Sequence, residues 1–203
     1  MMSELGLDTA SPDHRRTLWI VLVLNLALTA GFAVAGLIGD SSALLANALD
    51  NASDSLVFII SLVALRRGRG WKTGAARFCA AMLLLFAAGI LADAFRRFLG
   101  GSEPLGSAIM IMGVLGAAVN ALCLWLLARL KGKDVNLRAA TTFSFNDFAS
   151  NGGIFIAGAL VLWSGSNWPD LLVGAVVAVI AVKGATDIFR DANEEAGKAE
   201  GSE

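Results

Sequence analysis

The feature that most constrains this chain is a series of long apolar runs, because about 20 apolar residues in a helix can cross the hydrocarbon core of a membrane. Lipid offers no water to unpaired backbone amides, so such runs must be helical. Six runs meet this description, at about residues 17–39, 42–65, 74–99, 106–130, 138–163 and 168–190. The sequence therefore predicts an all-α fold, an integral membrane bundle of six transmembrane helices.

The composition excludes several other classes of protein. Only 16% of the 203 residues are charged, whereas a soluble domain usually carries about 25%. No basic face with interleaved aromatic residues is present, so nucleic-acid binding is not expected. The chain has one His, two Cys and no Cys-x-x-Cys pair, which excludes a structural zinc site built from thiolates or imidazoles. The first apolar run is longer than the core of a signal peptide, so we interpret it as a span.

The distribution of basic residues predicts the orientation, because the cytoplasmic loops of membrane proteins are enriched in Lys and Arg. One side of the predicted bundle carries Arg15, Arg16, Arg66, Arg67, Arg69, Lys72, Arg129, Lys131, Lys133 and Arg138. The other side carries Arg96 and Arg97. We therefore expect both termini in the cytoplasm, which agrees with an even number of spans. The expected organisation is an N-terminal tail at 1–16, a transmembrane domain at 17–190 and a short polar tail at 191–203 without a C-terminal domain.

Two of the predicted spans contain carboxylates, which are costly inside a membrane. An ionised Asp at mid-bilayer costs at least about 2.5 kcal/mol on insertion scales. Asp50 and Asp54 are four residues apart in the second span, so a helix places them on one face, about 6 Å apart along its axis. Asp147 and Asn151 repeat this spacing in the fifth span.

The two polar pairs are also expected at similar depth. Asp54 lies 11 residues from the expected cytoplasmic end of its span, and Asp147 lies 9 residues from the end of its own. On the same count Asp50 and Asn151 lie at 15 and 13 residues. The two helices run in opposite directions, so this agreement predicts a site shared between them near the middle of the membrane.

Three clustered carboxylates repel one another unless some are protonated or a cation binds. A divalent metal would balance the charge, and its binding requires deprotonated ligands, so metal entry and proton release are linked. The alternative role for polar side chains inside a bundle is hydrogen bonding between helices. We favour that alternative for Asn25, Asn47, Asn51, Asn120 and Ser53.

Two other groups of residues have a structural interpretation. Asp93 precedes Arg96 and Arg97 by three and four residues, which is typical of ion pairs along a helix. Three glycines in the fifth span predict close helix contact. They are Gly152, Gly153 and Gly158.

With these patterns the sequence resembles the cation diffusion facilitator family from the first span to about Arg190. The resemblance is carried by the segment from Ser42 to Asp54 in the second span and by Asp134-Val135-Asn136-Leu137-Arg138 leading into Asn146-Asp147 in the fifth. It is also carried by Trp168-Pro169-Asp170 at the start of the sixth span.

The resemblance implies a homodimeric antiporter of the cell (inner) membrane that exports divalent metal in exchange for protons. It implies metal ligands at Asp50, Asp54 and Asp147, between the second and fifth helices. The family's fifth-span pair is His or Asp four residues before the aspartate, but this chain has Phe143 there, which cannot bind metal. The fourth ligand is then absent, or is Asn151, Asn146 or water, and the depth count favours Asn151.

The ligand types and the family resemblance favour different metals. Carboxylate, amide and water ligands suit hard cations such as Mn²⁺, whereas the resemblance favours zinc, with cadmium and cobalt as further substrates and iron as an alternative. The metal is transported cargo, and no cofactor is expected. Two other functions are a metal-dependent membrane enzyme, for which the predicted depth of the aspartates is wrong, and a non-transporting scaffold.

Overall fold

The computed structural model describes residues 12–64, 69–129 and 135–200, and every regular element in these ranges is an α-helix. The helices are α1 (Pro12–Ile38), α2 (Ser42–Ala64), α3 (Arg69–Gly100), α4 (Gly106–Ala128), α5 (Val135–Ser164) and α6 (Trp168–Glu200). The predicted all-α class and the six helices are therefore confirmed. The basic loop residues Arg66, Arg67, Lys131 and Lys133 lie outside the described residues.

Among the described residues, five helices are long and apolar enough to cross a membrane. These stretches are Arg16–Ile38, Thr73–Gly100, Gly106–Ala128, Phe145–Ser164 and Trp168–Glu194. The helix α2 is not among them, and its apolar sequence is interrupted by Asn47, Asp50, Asn51 and Asp54. Large apolar side chains are exposed around the bundle, including Trp163 at 84% and Phe98 at 72%. Such a surface suits lipid rather than water.

Helix α6 is longer than the apolar run that predicted it. Residues 191–200, expected as a polar tail, continue the helix to Glu200. Ala and Glu are strong helix formers, and Arg190 Nε contacts Glu194 Oε1 at 3.0 Å, one turn further along.

Among the described residues, two of the three apolar clusters that include α2 join it to the other five helices. One joins α1, α2, α4 and α5 and includes Phe32, Leu44, Ile109 and Ile154. The other joins α2, α3 and α6 and includes Leu49, Leu83, Ala87, Ala181 and Ala185. Helix α2 therefore contributes to both clusters, and the polar residues between its ends are held inside the molecule.

Close helix contact is confirmed for one of the three predicted glycines. A Cβ added at Gly158 would lie 2.8 Å from the carbonyl oxygen of Gly106, so α4 and α5 approach backbone to backbone there. The prediction is wrong for Gly152 and Gly153, where an added Cβ would have no neighbour within 4 Å among the atoms considered. Both face away from α4, because a helix that buries Asn151 and Ile154 turns the residues between them outward.

The predicted pairing of Asp93 with Arg96 and Arg97 is confirmed. Arg97 also pairs with the Asp40 carboxylate and donates to its carbonyl oxygen at 2.5 Å, a contact that the sequence did not predict. Asp40 lies in the α1–α2 turn with φ 49°, and its Oδ2 accepts a hydrogen bond from the Glu103 backbone at 3.2 Å. These contacts tie the α1–α2 turn to α3 and to the α3–α4 connection.

Candidate metal centre

The start of α2 is fixed by a carboxylate from α6. Asp170, which is fully buried, accepts hydrogen bonds from Ser41 Oγ at 2.5 Å, from the Ser42 backbone at 2.8 Å and from the Ala43 backbone at 3.2 Å. The first backbone N–H groups of a helix have no partner inside it and carry partial positive charge. Asp170 satisfies two of these groups, and so fixes the position of the helix that carries Asp50 and Asp54.

Asparagines connect α2 to α5. Asn47 Nδ2 donates to Asn151 Oδ1 at 3.2 Å, and Ser150 Oγ donates to Asn47 Oδ1 at 3.3 Å. Asn47 and Asn151 are both fully buried. The prediction that Asn47 bonds between helices is therefore confirmed.

The register between the two helices differs from the depth count, because α5 begins three residues earlier than its apolar run. Counted from the C-terminal end of α2 and the N-terminal end of α5, Asp147 lies 12 residues into α5, between Asp54 at 10 and Asp50 at 14. Asn151 lies at 16 residues, and it pairs with Asn47 at 17. Asn151 therefore lies two residues beyond the level of Asp50, whereas the depth count placed it two residues short of that level.

The three aspartates lie within electrostatic range of one another. The charge of Asp54 interacts with those of Asp147 and Asp50, and the charge of Asp147 also interacts with that of Asp50. Asp147 is 2% exposed, and the other two are partly buried. Within the described part of the chain, no three His, Cys, Asp or Glu side chains converge closely enough to hold a metal ion as they stand. A cation would have to draw the carboxylates together.

The candidates for a fourth ligand are in different surroundings. Asn151 Nδ2 donates to the carbonyl oxygen of Asp147 at 2.8 Å, and its Oδ1 keeps one lone pair beyond the bond from Asn47. Asn146 is exposed and points away from the bundle interior. Phe143 belongs to α5, and its side chain lies outside the description.

Other buried asparagines behave differently from the prediction of interhelical bonding. Asn25 and Asn51 donate only to backbone oxygens of their own helices, at 3.0 Å and 2.9 Å, and in both the Oδ1 atom has no partner among the described residues. Asn120 is fully buried, and neither Oδ1 nor Nδ2 of its amide has a hydrogen-bond partner among the described residues.

The role of Asp170 was missed from the sequence. Asp170 belongs to the segment that opens the sixth span, and its partners are 127 to 129 residues away in the chain. An Asp beside Pro169 at the start of an apolar run is typical of a helix N-terminus. That signal would have suggested a cap for α6 itself rather than for α2.

Comparison with known proteins finds one matching family and several relatives. The family model described as "Cation efflux transmembrane domain" matches residues 18–195. The "Zinc transporter ZitB" of Yersinia pestis is 29% identical over 191 residues, covering 86% of this chain and 61% of the relative. The "Cadmium, cobalt and zinc/H(+)-K(+) antiporter" of Bacillus subtilis is 25% identical, covering 84% of this chain and 61% of the relative. The chain thus spans about three-fifths of the length of these relatives.

Proposed function

This chain belongs to the cation efflux transmembrane domain family, and from that premise we propose that it is a proton-coupled antiporter that exports divalent metal ions from the cytoplasm. The observation that carries the proposal is the hydrogen bond from Asn47 to Asn151, which holds α2 against α5 within two helical turns of all three aspartates, Asp50, Asp54 and Asp147. Membership in a family of cation efflux proteins argues against the alternatives of a membrane enzyme and a scaffold. The chain is a multi-pass membrane protein, and we place it in the inner membrane.

We propose Asp50, Asp54 and Asp147 as metal ligands, with Asn151 as the fourth and Asn146 as a weaker candidate. A divalent cation between the carboxylates would offset their mutual repulsion in a region where water cannot screen it. Metal binding requires deprotonated ligands, so protons arriving from the opposite side would compete with the metal. This competition couples the flow of metal to the opposite flow of protons.

Zinc is the substrate that we propose first, followed by cadmium and cobalt. Two of the relatives carry these metals in their names, as a zinc transporter and as a cadmium, cobalt and zinc antiporter. The all-oxygen ligand set also suits harder cations, so manganese and iron(II) are the alternatives that a transport assay should include.

We propose six spans with both termini in the cytoplasm, and a homodimer as the working unit. The α1–α2, α3–α4 and α5–α6 connections lie at one end of the bundle. Leu105 N donates to Gly39 O at 2.9 Å, and Asn167 Nδ2 donates to Ser102 Oγ at 3.0 Å. That arrangement supports an even number of crossings.

The topology can be tested by cysteine labelling in a variant without the two native cysteines. Glu103 and Asp191 are both exposed, and the proposal places them on opposite sides of the membrane. Glu103→Cys should react with an impermeant maleimide added outside intact cells, and Asp191→Cys only after permeabilisation. Labelling of both residues from outside would contradict the orientation.

The function is tested by metal-driven proton movement in proteoliposomes, with Zn²⁺, Cd²⁺, Co²⁺, Mn²⁺ and Fe²⁺ supplied in turn. Asp54→Asn and Asp147→Asn should each abolish the flux, because an amide cannot release a proton or balance the metal charge. Asp187→Asn is the matched control, since Asp187 is an exposed carboxylate of α6. Normal flux in Asp147→Asn would refute the site, and no flux with any metal in folded wild-type protein would refute the function.

Asn151→Ala tests the fourth ligand separately. Weaker metal binding by this variant is expected if Asn151 Oδ1 binds the ion. Wild-type affinity would leave Asn151 with the role of holding α5 against α2 through Asn47.

A further inference from the structure

Asn120 on α4 is a buried polar side chain that the proposed site does not use. The inward face of α4 includes Met112, Gly116, Asn120, Cys123 and Leu127, all of them buried. Asn120 is fully buried within this face, and neither its Oδ1 nor its Nδ2 has a hydrogen-bond partner among the described residues. An amide in such a position is destabilising unless something else binds it.

The neighbours of α4 on α5 place Asn120 at the level of the proposed site. A Cβ added at Gly116 would clash with the Asn151 side chain. One turn earlier on α4, a Cβ added at Gly113 would lie 2.9 Å from the backbone nitrogen of Phe155, one turn later on α5. Since α4 and α5 run in opposite directions, Asn120, four residues after Gly116, falls near the level of Asp147, four residues before Asn151.

The neighbours on α1 give the same level from the other side. A Cβ at Gly116 would lie 2.7 Å from Phe32 Cζ, and Val21 belongs to the same apolar cluster as Cys123. Asn25, which is buried on α1, lies between Val21 and Phe32 in the sequence, so it lies at about the level of Asn120. Its Oδ1 atom also has no partner among the residues described.

We propose that Asn120 binds the transported divalent cation from the α4 side, with its Oδ1 as an oxygen ligand of the ion or of a water on the ion. This inference rests on the proposed function and adds a third helix to a site shared by α2 and α5. It supplies a ligand group in a chain whose Phe143 cannot provide one. Amide oxygens are suitable ligands for divalent cations.

Cation binding by Asn120 can be distinguished from a packing role, because the two roles predict different effects of an apolar substitution. Leu branches at Cγ as Asn does but carries no polar atoms, so Asn120→Leu removes two unpartnered groups from the interior. The metal-free variant should therefore melt at the same temperature as the wild type or higher. Its zinc affinity should fall by about tenfold or more, as it does on loss of groups around a metal site.

The experiment is zinc titration by calorimetry, with thermal unfolding measured with and without zinc, on the purified chain in detergent. Asn120→Asp retains an oxygen and should bind zinc at least as tightly as the wild type. Asn167→Ala is the matched control, because it removes an asparagine whose partner is Ser102 in the connections at one end of the bundle. Its zinc affinity should be unchanged.

Wild-type zinc affinity in Asn120→Leu, or weakened binding in Asn120→Asp, would overturn the inference. If Asn120→Leu does not fold, Asn120→Ala replaces it, with the same two readings. Wild-type protein that binds zinc but moves no protons would refute the proposed transport while leaving the role of Asn120 to be decided by the affinities. Wild-type protein that binds no zinc would refute both.

Discussion

Replacing Asp170 should destabilise the bundle far more than replacing another aspartate of the same helix. Asp170 accepts three hydrogen bonds, from Ser41 Oγ and from the backbones of Ser42 and Ala43, in a fully buried position. Asp170→Ala removes all three and leaves their donors unpaired. A buried donor left unpaired costs about 1–3 kcal/mol, so Asp170→Ala should cost at least about 3 kcal/mol.

Asp170→Asn gives a finer measure of the same contact. The amide keeps one oxygen, so it can retain part of the bonding, but it loses the second acceptor and the negative charge at the start of α2. One hydrogen bond to a charged group is worth about 1.5–3 kcal/mol, and the charge at a helix N-terminus adds about 0.3–1 kcal/mol. We expect a loss of about 2–4 kcal/mol.

The assay is thermal unfolding of the purified protein in detergent, with Asp187→Asn as the control. Asp187 is exposed on α6, and surface substitutions usually change stability by less than about 0.5 kcal/mol. Zinc affinity should fall together with stability in the Asp170 variants, because α2 carries Asp50 and Asp54. Equal melting temperatures for Asp170→Asn and Asp187→Asn would refute the reasoning that this carboxylate fixes α2.

Two further pairs of variants test contacts elsewhere in the bundle. Gly113→Ala should cost about 1–3 kcal/mol by overpacking, because its Cβ would lie 2.9 Å from the Phe155 backbone nitrogen; Gly152→Ala, with open space around it, should leave thermal stability unchanged or raise it by up to about 1 kcal/mol. Arg97→Gln should cost about 1–2 kcal/mol once the exposure of its carboxylate partners is allowed for, whereas Arg96→Gln, at a side chain 71% exposed, should cost about 0.5 kcal/mol or less. Equal melting temperatures within either pair would contradict the contacts described.

The helices and the polar residues between α2 and α5 were predictable because both follow from local rules. Apolar runs specify helices in lipid, and a spacing of four residues specifies one helix face. The register was predicted to within about one turn. The error arose because polar residues such as Asn136 extend α5 beyond its apolar run, and hydropathy does not detect a polar first turn.

Contacts between distant segments were not predictable from the same rules. Nothing in the sequence near Asp170 indicates that its carboxylate caps α2 rather than α6, and nothing near Asp40 indicates that Arg97 reaches it. Asn47, Asn51 and Asn120 are of one residue type in similar apolar surroundings, yet in the described structure only Asn47 bonds to another helix. Which asparagine finds a partner depends on helix rotation and register, which a single sequence does not contain.

The contacts between helices in this bundle differ in strength. Within the described residues, the side-chain hydrogen bonds between α2 and α5 are the two made by Asn47, both between neutral groups, and each is worth about 1 kcal/mol. Asp170 clamps α6 to α2 with a charged group, and glycines bring α4 and α5 together at backbone distance. The interface between α2 and α5 should therefore separate more easily than the α2–α6 and α4–α5 interfaces. A cation bound by aspartates of both helices would link α2 to α5. Its binding and release would therefore set how tightly these two helices are held together.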